Sequence, residues 1–266
     1  MKKFLRKYRR LLIFLLILGL IIVSIILQRN YSQTLCTDLV IKIKNKKQAP
    51  FIDENYVKAY LYKVLKTPVI GVPFSKIDMN KLEKDFLKNP YLKSIQVYRA
   101  KKTKIFIEIE QRVPMVCFLY NDGKCFFVDT QGVIMPNMRG KPVYVPIVSG
   151  YIEPKINFSD LKKITIFADN KVKNTLLGKL YFLVKKIEAN DDLKGLIDQY
   201  YVDENKNLIL ISKVGDFKIF FGKMNNIENK ITKLKVLFKE ILPKKGWAKY
   251  SRFNFDYKNQ IVAEIK

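Results

Sequence analysis

Residues 94–110 read SIQVYRAKKTKIFIEIE. Two runs, 94–100 and 104–110, alternate apolar and polar residues with a period of two, which marks strands with one buried face. The polar turn Lys101-Lys102-Thr103 joins them. Ile105, Ile107 and Ile109 line one face of the second strand, while Phe106, Glu108 and Glu110 point away. A hairpin of this kind must bury its isoleucine face against another element, and the preceding residues supply one. Asp53 is placed to cap a helix carrying Val57, Tyr60, Leu61, Val64 and Leu65 at i, i+3, i+4 spacing. Asp78 is placed to cap a second helix with Leu82, Phe86 and Leu87 inward, and Asn89-Pro90 stops it. The alternating run 39–44 (LVIKIK) adds a third strand. The pattern predicts strand, helix, helix, strand, strand: an α+β module over residues 35–112, its three-stranded sheet covered on one side by two helices.

Further upstream, residues 11–27 (LLIFLLILGLIIVSIIL) form an uncharged apolar run. At ~1.5 Å per residue it is just long enough to cross a hydrocarbon core as one helix. Lys2, Lys3, Arg6, Lys7, Arg9 and Arg10 precede it. This asymmetry predicts a basic cytoplasmic tail over 1–10, a transmembrane helix over 11–28 and a body beyond the membrane. Tyr8 and Tyr31 stand where interfacial aromatics are expected. A cleaved leader shares the positive head and apolar core. Against it, the run exceeds the usual ~7–15-residue core, and residues 24–34 lack a small-x-small cleavage site.

Val113-Pro114 marks the next boundary. Residues 113–266 form a larger mixed β-rich domain with two or more helices. Strands are expected at 115–120, 124–129, 133–135, 143–148, 199–203, 208–212, 217–221, 252–256 and 260–265. Helices are expected at 175–188 and 227–242, the second ended by Pro243.

Composition narrows the chemistry. The chain has 266 residues, a formal net charge of +26 and no histidine. Ser-His-Asp and Cys-His catalysis and histidine-based metal sites are therefore excluded. The positive charge is spread along the chain, and only eight of its 50 basic residues are arginine, whereas phosphate and base recognition favours arginine. Solvated lysine-rich faces, with some attraction to anionic lipid or wall polymers, are the simpler reading; no nucleic acid is expected. Cys36, Cys117 and Cys125 have no metal-ligand spacing. A two-residue turn at Asp122-Gly123 would put Cys117 and Cys125 on opposite faces, and a three-residue turn would make them diagonal neighbours, so both read as small buried hydrophobes. Glycine-rich phosphate loops and nucleophile elbows are missing. Glu108 and Glu110 share a face, but beside Lys104 and Arg112 they read as solvated ion-pair partners. No catalytic, cofactor or metal residue is assigned.

The most plausible binding device is a sheet edge. A terminal strand over 260–265 has at most one earlier neighbour, and a partner strand can add to its open side. The competing reading is that this strand merely closes the domain's own sheet.

Four segments, taken in order behind a basic-headed anchor, carry a resemblance: 88–99 (KNPYLKSIQVYR), 109–114 (IEQRVP), 127–136 (FVDTQGVIMP) and 245–262 (KGWAKYSRFNFDYKNQIV). The chain resembles the FtsQ/DivIB family of bacterial division proteins, in wording closest to Bacteroidetes-type members, and its small module resembles a POTRA domain. The resemblance covers essentially the whole chain. It implies a non-enzymatic divisome scaffold in the cell inner membrane, single-pass, with its body periplasmic at the division septum. The implied partners are FtsB-like and FtsL-like single-span proteins, with other divisome proteins on the POTRA face built on 94–110. The FtsB-like partner is expected to pair along the terminal strand near Tyr257, with Asn259, Gln260 and Val262 following. Asp256 stands where many relatives place a basic residue, so main-chain pairing is the firmer expectation. The alternatives are a membrane-anchored cell-wall enzyme, a POTRA-type secretion or assembly factor, and a basic polyanion binder.

Overall fold

The structure is a computed structural model that describes residues 2–137, 142–153 and 170–266. A long helix, α1 (Lys2–Gln33), leads into β1 (Asp38–Lys44), α2 (Glu54–Leu65), a 3₁₀ turn at Phe74–Lys76, α3 (Met79–Phe86), β2 (Leu92–Ala100) and β3 (Lys104–Gln111). Then follow β4 (Pro114–Tyr120), β5 (Cys125–Asp129), β6 (Ile134–Pro136), β7 (Ile147–Gly150), the short α4 (Asn170–Lys173) and α5 (Leu176–Glu188). The chain continues through β8 (Ile197–Val202), β9 (Leu208–Ser212), β10 (Lys218–Gly222) and α6 (Ile227–Val236). A π-helical turn at Leu237–Ile241 leads to α7 (Leu242–Lys245), β11 (Tyr250–Asn254) and β12 (Val262–Ile265). These elements form two compact units, residues 1–44, 52–87 and 92–110 in the first, and 45–51, 88–91 and 111–266 in the second.

In the first unit a three-stranded sheet runs β1-β3-β2, with β1 and β3 parallel from Asp38↔Lys104 to Lys44↔Glu110. Both helix starts are capped as their sequence predicts: Asp53 accepts from the Tyr56 amide at 2.8 Å and Asp78 from the Lys81 amide at 2.9 Å. Val57, Leu61, Leu82 and Phe86 are buried with Ile105, Ile107 and Ile109, so the period-two and helical patterns meet in one core. The ion pairs differ from expectation. Glu108 lies near Lys42 and Lys44, Glu110 bonds Lys93 at 2.8 Å, and Lys104 pairs instead with Asp38. Directly opposed residues on neighbouring strands sit closer than i, i+2 residues on one strand, so the carboxylates pair across the sheet.

Helix α1 has 32 residues, and the described side chains from Leu11 to Ile26 are exposed. Among the described residues, no helix is long and apolar enough to cross a membrane. Helix α1 covers the residues of the expected span, and a crossing of the bilayer stays an expectation from the sequence. The Lys2, Lys3, Arg6, Lys7, Arg10 and Tyr31 side chains lie outside the described residues, whereas Arg9 is exposed.

The second unit is built on a nine-stranded sheet in the order β12-β11-β10-β9-β8-β7-β4-β5-β6. One face is a row of fully buried residues, Phe118, Val148, Tyr200, Leu210, Ile219 and Phe253, packed in one cluster with α5 and α6. Most strands fall within a few residues of the sequence pattern. Strand β7 starts at Ile147, however, where parallel pairing to β4 begins, and not at 143. Pro243 does not end its helix. It sits inside α7, just past the π-helical turn whose Leu242 amide bonds the Leu237 carbonyl. This widened turn accommodates a residue that cannot donate back along the helix, and Gly246 (φ 92°) ends it three residues later. Cys117 pairs with Phe127 and Leu119 with Cys125, so both cysteines occupy one face as diagonal neighbours. They are half-buried and unbridged. Burial, then the neighbouring Cys125, pushes the Cys117 thiol up to about 12.

Candidate partner-binding edge

Strand β12 lies at one end of the large sheet, and among the described residues β11 is its one partner, antiparallel from Tyr250↔Ile265 to Asn254↔Val262. All four residues of β12 are exposed. The Lys266 amide donates to the Lys249 carbonyl, so by strand alternation the amides of Glu264 and Val262 also face β11. The N–H and C=O groups of Ala263 and Ile265 therefore point outward along the free edge. Ile265 is 65% exposed and Val262 is 40% exposed, so the edge is apolar as well as unpaired.

The connector from β11 to β12 is held from below by two lysines of α6. Lys233 is buried, and its ammonium donates to the carbonyls of Phe255, at 2.9 Å, and of Tyr257. Burial first, and then the nearby Lys230 charge, lowers its pKa from the usual lysine value. Lys230 is also buried and donates to the Lys223 carbonyl at 3.0 Å and to Asn225 at 3.2 Å, with Asp256 at 3.3 Å. Gly222 (φ 72°) makes room for this arrangement, because a Cβ there would lie 2.5 Å from the Asp256 carboxylate. Ile261 turns back to pack on the core. A groove of about 710 Å³ runs between the start of α6 and the connector, lined by Met224, Asn226, Lys230, Lys233, Tyr257 and Asn259 among others.

Of the four residues singled out by sequence, only Val262 lies on the strand. Tyr257, 53% exposed, Asn259 (φ 57°) and Gln260 belong to the connector. The anchored carbonyls at 255 and 257 and the left-handed Asn259 delay strand pairing until residue 262. Tyr257 and Asn259 share the groove, and Val262 sits beyond it on the edge. Sequence reasoning missed Lys230 and Lys233. Their i, i+3 spacing beside the apolar stripe of α6 was the available signal, but a helical lysine reads by default as solvated.

On the first unit, the strand face away from the helices carries Tyr98 stacked on Phe106 at 5.5 Å, with the Tyr98 hydroxyl 3.3 Å from Glu108. Among the described residues no group of three or more Cys, Asp or Glu side chains could hold a metal ion.

The fold and its open edge place the chain in a class: a small sheet-and-two-helix module joined to a β-rich unit whose last strand is paired on one side only. Comparison with known proteins gives that class a family. Residues 34–110 match the family model described as a POTRA-like domain, and residues 113–264 match the one described as FtsQ/DivIB, C-terminal related. The chain belongs to the FtsQ/DivIB family. It is similar to the cell division protein DivIB of Clostridium tetani (strain Massachusetts / E88), with 23% identity over 193 residues, covering 71% of this chain and 68% of that relative.

Proposed function

We propose that this protein is a non-enzymatic scaffold of bacterial cell division, anchored by α1 in the inner membrane with its body outside the cytoplasm. Membership of the FtsQ/DivIB family and likeness to a cell division protein support the division role. Six basic residues ahead of a 17-residue uncharged run support the anchor and its orientation. The lack of histidine leaves the common proton-transfer and metal chemistries without their usual residue, which favours binding over turnover.

The mechanism we infer is strand addition. An FtsB-like single-span partner extends the sheet along Ala263 and Ile265, Val262 gives it an apolar side-chain contact, and Tyr257 reaches it from the connector. An FtsL-like protein joins through that partner, while the POTRA face recruits other divisome proteins. The observation that carries this reading is the outward-facing main chain of β12 at the sheet edge. Photo-crosslinking from positions 257 and 265 of the full chain in dividing cells, with the product identified by mass spectrometry, tests it. Capture of a single-span coiled-coil protein at the septum is expected. A septal chain that captures nothing from either position refutes strand addition.

A further inference from the structure

The end of the first unit next to α1 combines three features that the partner-binding edge does not use. Just past the helix, residues 34–36 are tied to the loop after α2. The Gly71 amide bonds the Cys36 carbonyl at 2.7 Å, the Cys36 amide bonds the Val72 carbonyl at 2.9 Å, and the Phe74 amide bonds the Thr34 carbonyl at 3.1 Å. Leu35 and Pro73 form an isolated bridge. The loop is therefore fixed to the exit of α1 by main-chain bonds.

Apolar side chains protrude at this level without cover. Ile70 is 59% exposed, Leu35 is 50% exposed and Tyr62 is 57% exposed. Beside them an apolar recess of about 460 Å³ is lined by Leu39, Leu61, Pro68 and Val69 among others.

Cations surround them. Register places the β2–β3 turn at this same end, since Asp38↔Lys104 is the first pair of β1 with β3 and the Thr37 amide bonds the Thr103 carbonyl at 2.8 Å. Lys101 and Lys102 in that turn are exposed, as are Lys66 at the end of α2 and Lys76 after the bound loop. The carboxylates here are engaged: Asp38 with Lys104 at 2.6 Å and Asp78 with the start of α3.

We propose that this end is a lipid-docking surface, with Ile70 and Leu35 entering the interface of an anionic bilayer and Lys66, Lys101 and Lys102 meeting its phosphates. The proposal rests on the reading of α1 as a membrane anchor. Residues 28–33 carry the helix about 9 Å past the apolar run, whose 17 residues span ~25 Å of a hydrocarbon core ~30 Å thick. Centred in that core, the run leaves the surface about 7 Å beyond it, level with the outer part of the headgroup layer, ~5–8 Å deep on each side, and within reach of a lysine side chain. Exposed apolar tips ringed by lysine fit a phosphate-bearing interface, where each nearby lysine shifts the docked population about fivefold, equivalent to ~1 kcal/mol. Docking would fix the module's tilt on its anchor and so the direction in which its free strand faces are presented.

Because the chain has one tryptophan, Trp247, fluorescence can test this. Ile70→Trp is made in a Trp247→Phe background and the full chain is reconstituted into phosphatidylcholine vesicles, with or without phosphatidylglycerol, carrying a headgroup nitroxide quencher. Tyr56→Trp, at the opposite end of α2, is the control. Quenching of the position-70 probe that grows with phosphatidylglycerol, spares position 56 and is lost in Lys66→Glu/Lys101→Glu/Lys102→Glu or at about 1 M salt, where screening shortens to ~3 Å, is the expected result. Equal quenching at positions 70 and 56 in vesicles that float with the protein overturns the docking surface and leaves the anchor standing. Protein that fails to float with vesicles overturns the anchor itself.

Discussion

The ammonium of Lys233 lies 2.9 Å from the carbonyl oxygen of Phe255 and also bonds that of Tyr257, so a buried charge on α6 holds the connector leading to the sheet edge. Hydrogen bonds to a charged donor contribute more than neutral ones, and removing this donor strands two carbonyls. Lys233→Met keeps the stem's length and apolar packing while losing both bonds. It should destabilise the second unit by about 1–3 kcal/mol. Amide exchange should rise most at residues 255–261, with the β8–β9 pair little changed. Uniform acceleration across the unit would show that Lys233 supports the core and not the connector.

Edge geometry makes a sharper prediction. Ala263→Pro removes an outward amide, which the register assigns no role in the β11–β12 ladder. Partner capture should fall strongly while thermal stability changes little. Glu264→Pro, one residue on, removes an inward amide and should loosen β12 from β11. Similar capture by wild type and Ala263→Pro would mean that the partner does not add as a strand.

Glu188 gives a pH-dependent test. Burial raises the pKa of its carboxyl above the ordinary carboxylate value, against smaller lowering effects from the Gly195 amide, Lys194 and Lys213. Its Oε1 and the Tyr200 hydroxyl are both buried without a hydrogen-bond partner among the described residues. An acid with a raised folded-state pKa binds more protons folded than unfolded, so its contribution is fully present below the unfolded value and declines as pH rises through the folded one. Glu188→Gln stays neutral and can present an amide to Tyr200. It should raise the melting temperature at neutral pH and flatten the fall in stability above about pH 4.5. An unchanged pH profile in the variant would rule out Glu188 as its source.

The first unit was legible because its burial follows short periods: alternate isoleucines at 105, 107 and 109 map directly onto one sheet face, and Asp53 and Asp78 announce their helices. The order of the large sheet was not. Its β4–β7 and β10–β11 pairs are parallel and join segments well apart in the chain, so neither leaves a local turn signal. At the edge, the sequence located the terminal strand but started it two residues early. The cause is nonlocal: Lys233 anchors carbonyls that a strand pattern would assign to sheet pairing. Pro243 misled for a related reason, since the π-helical turn that ends at Ile241, just before it, removes the clash that ordinarily ends a helix.

Gly150 closes β7 with φ 94°, and a Cβ at this position would lie 2.1 Å from the Val202 carbonyl oxygen. That oxygen accepts the Tyr151 amide at 3.0 Å, so the chain turns tightly against β8 as it leaves the centre of the sheet. Gly150→Ala brings two separate costs. One is the positive φ, about 1 kcal/mol for a residue with a side chain. The other is displacement of a backbone carbonyl that cannot swing aside without releasing the Tyr151 amide, worth ~1–3 kcal/mol as overpacking strain. The sum, roughly 2–4 kcal/mol, should appear as a clear loss of melting temperature for the second unit, with amide exchange rising first at 151 and 152. Gly71→Ala, which has φ 88° but open space around its Cβ, should cost only the first part. Equal losses for the two variants would show that backbone conformation alone, and not the approach of Val202, selects glycine at position 150.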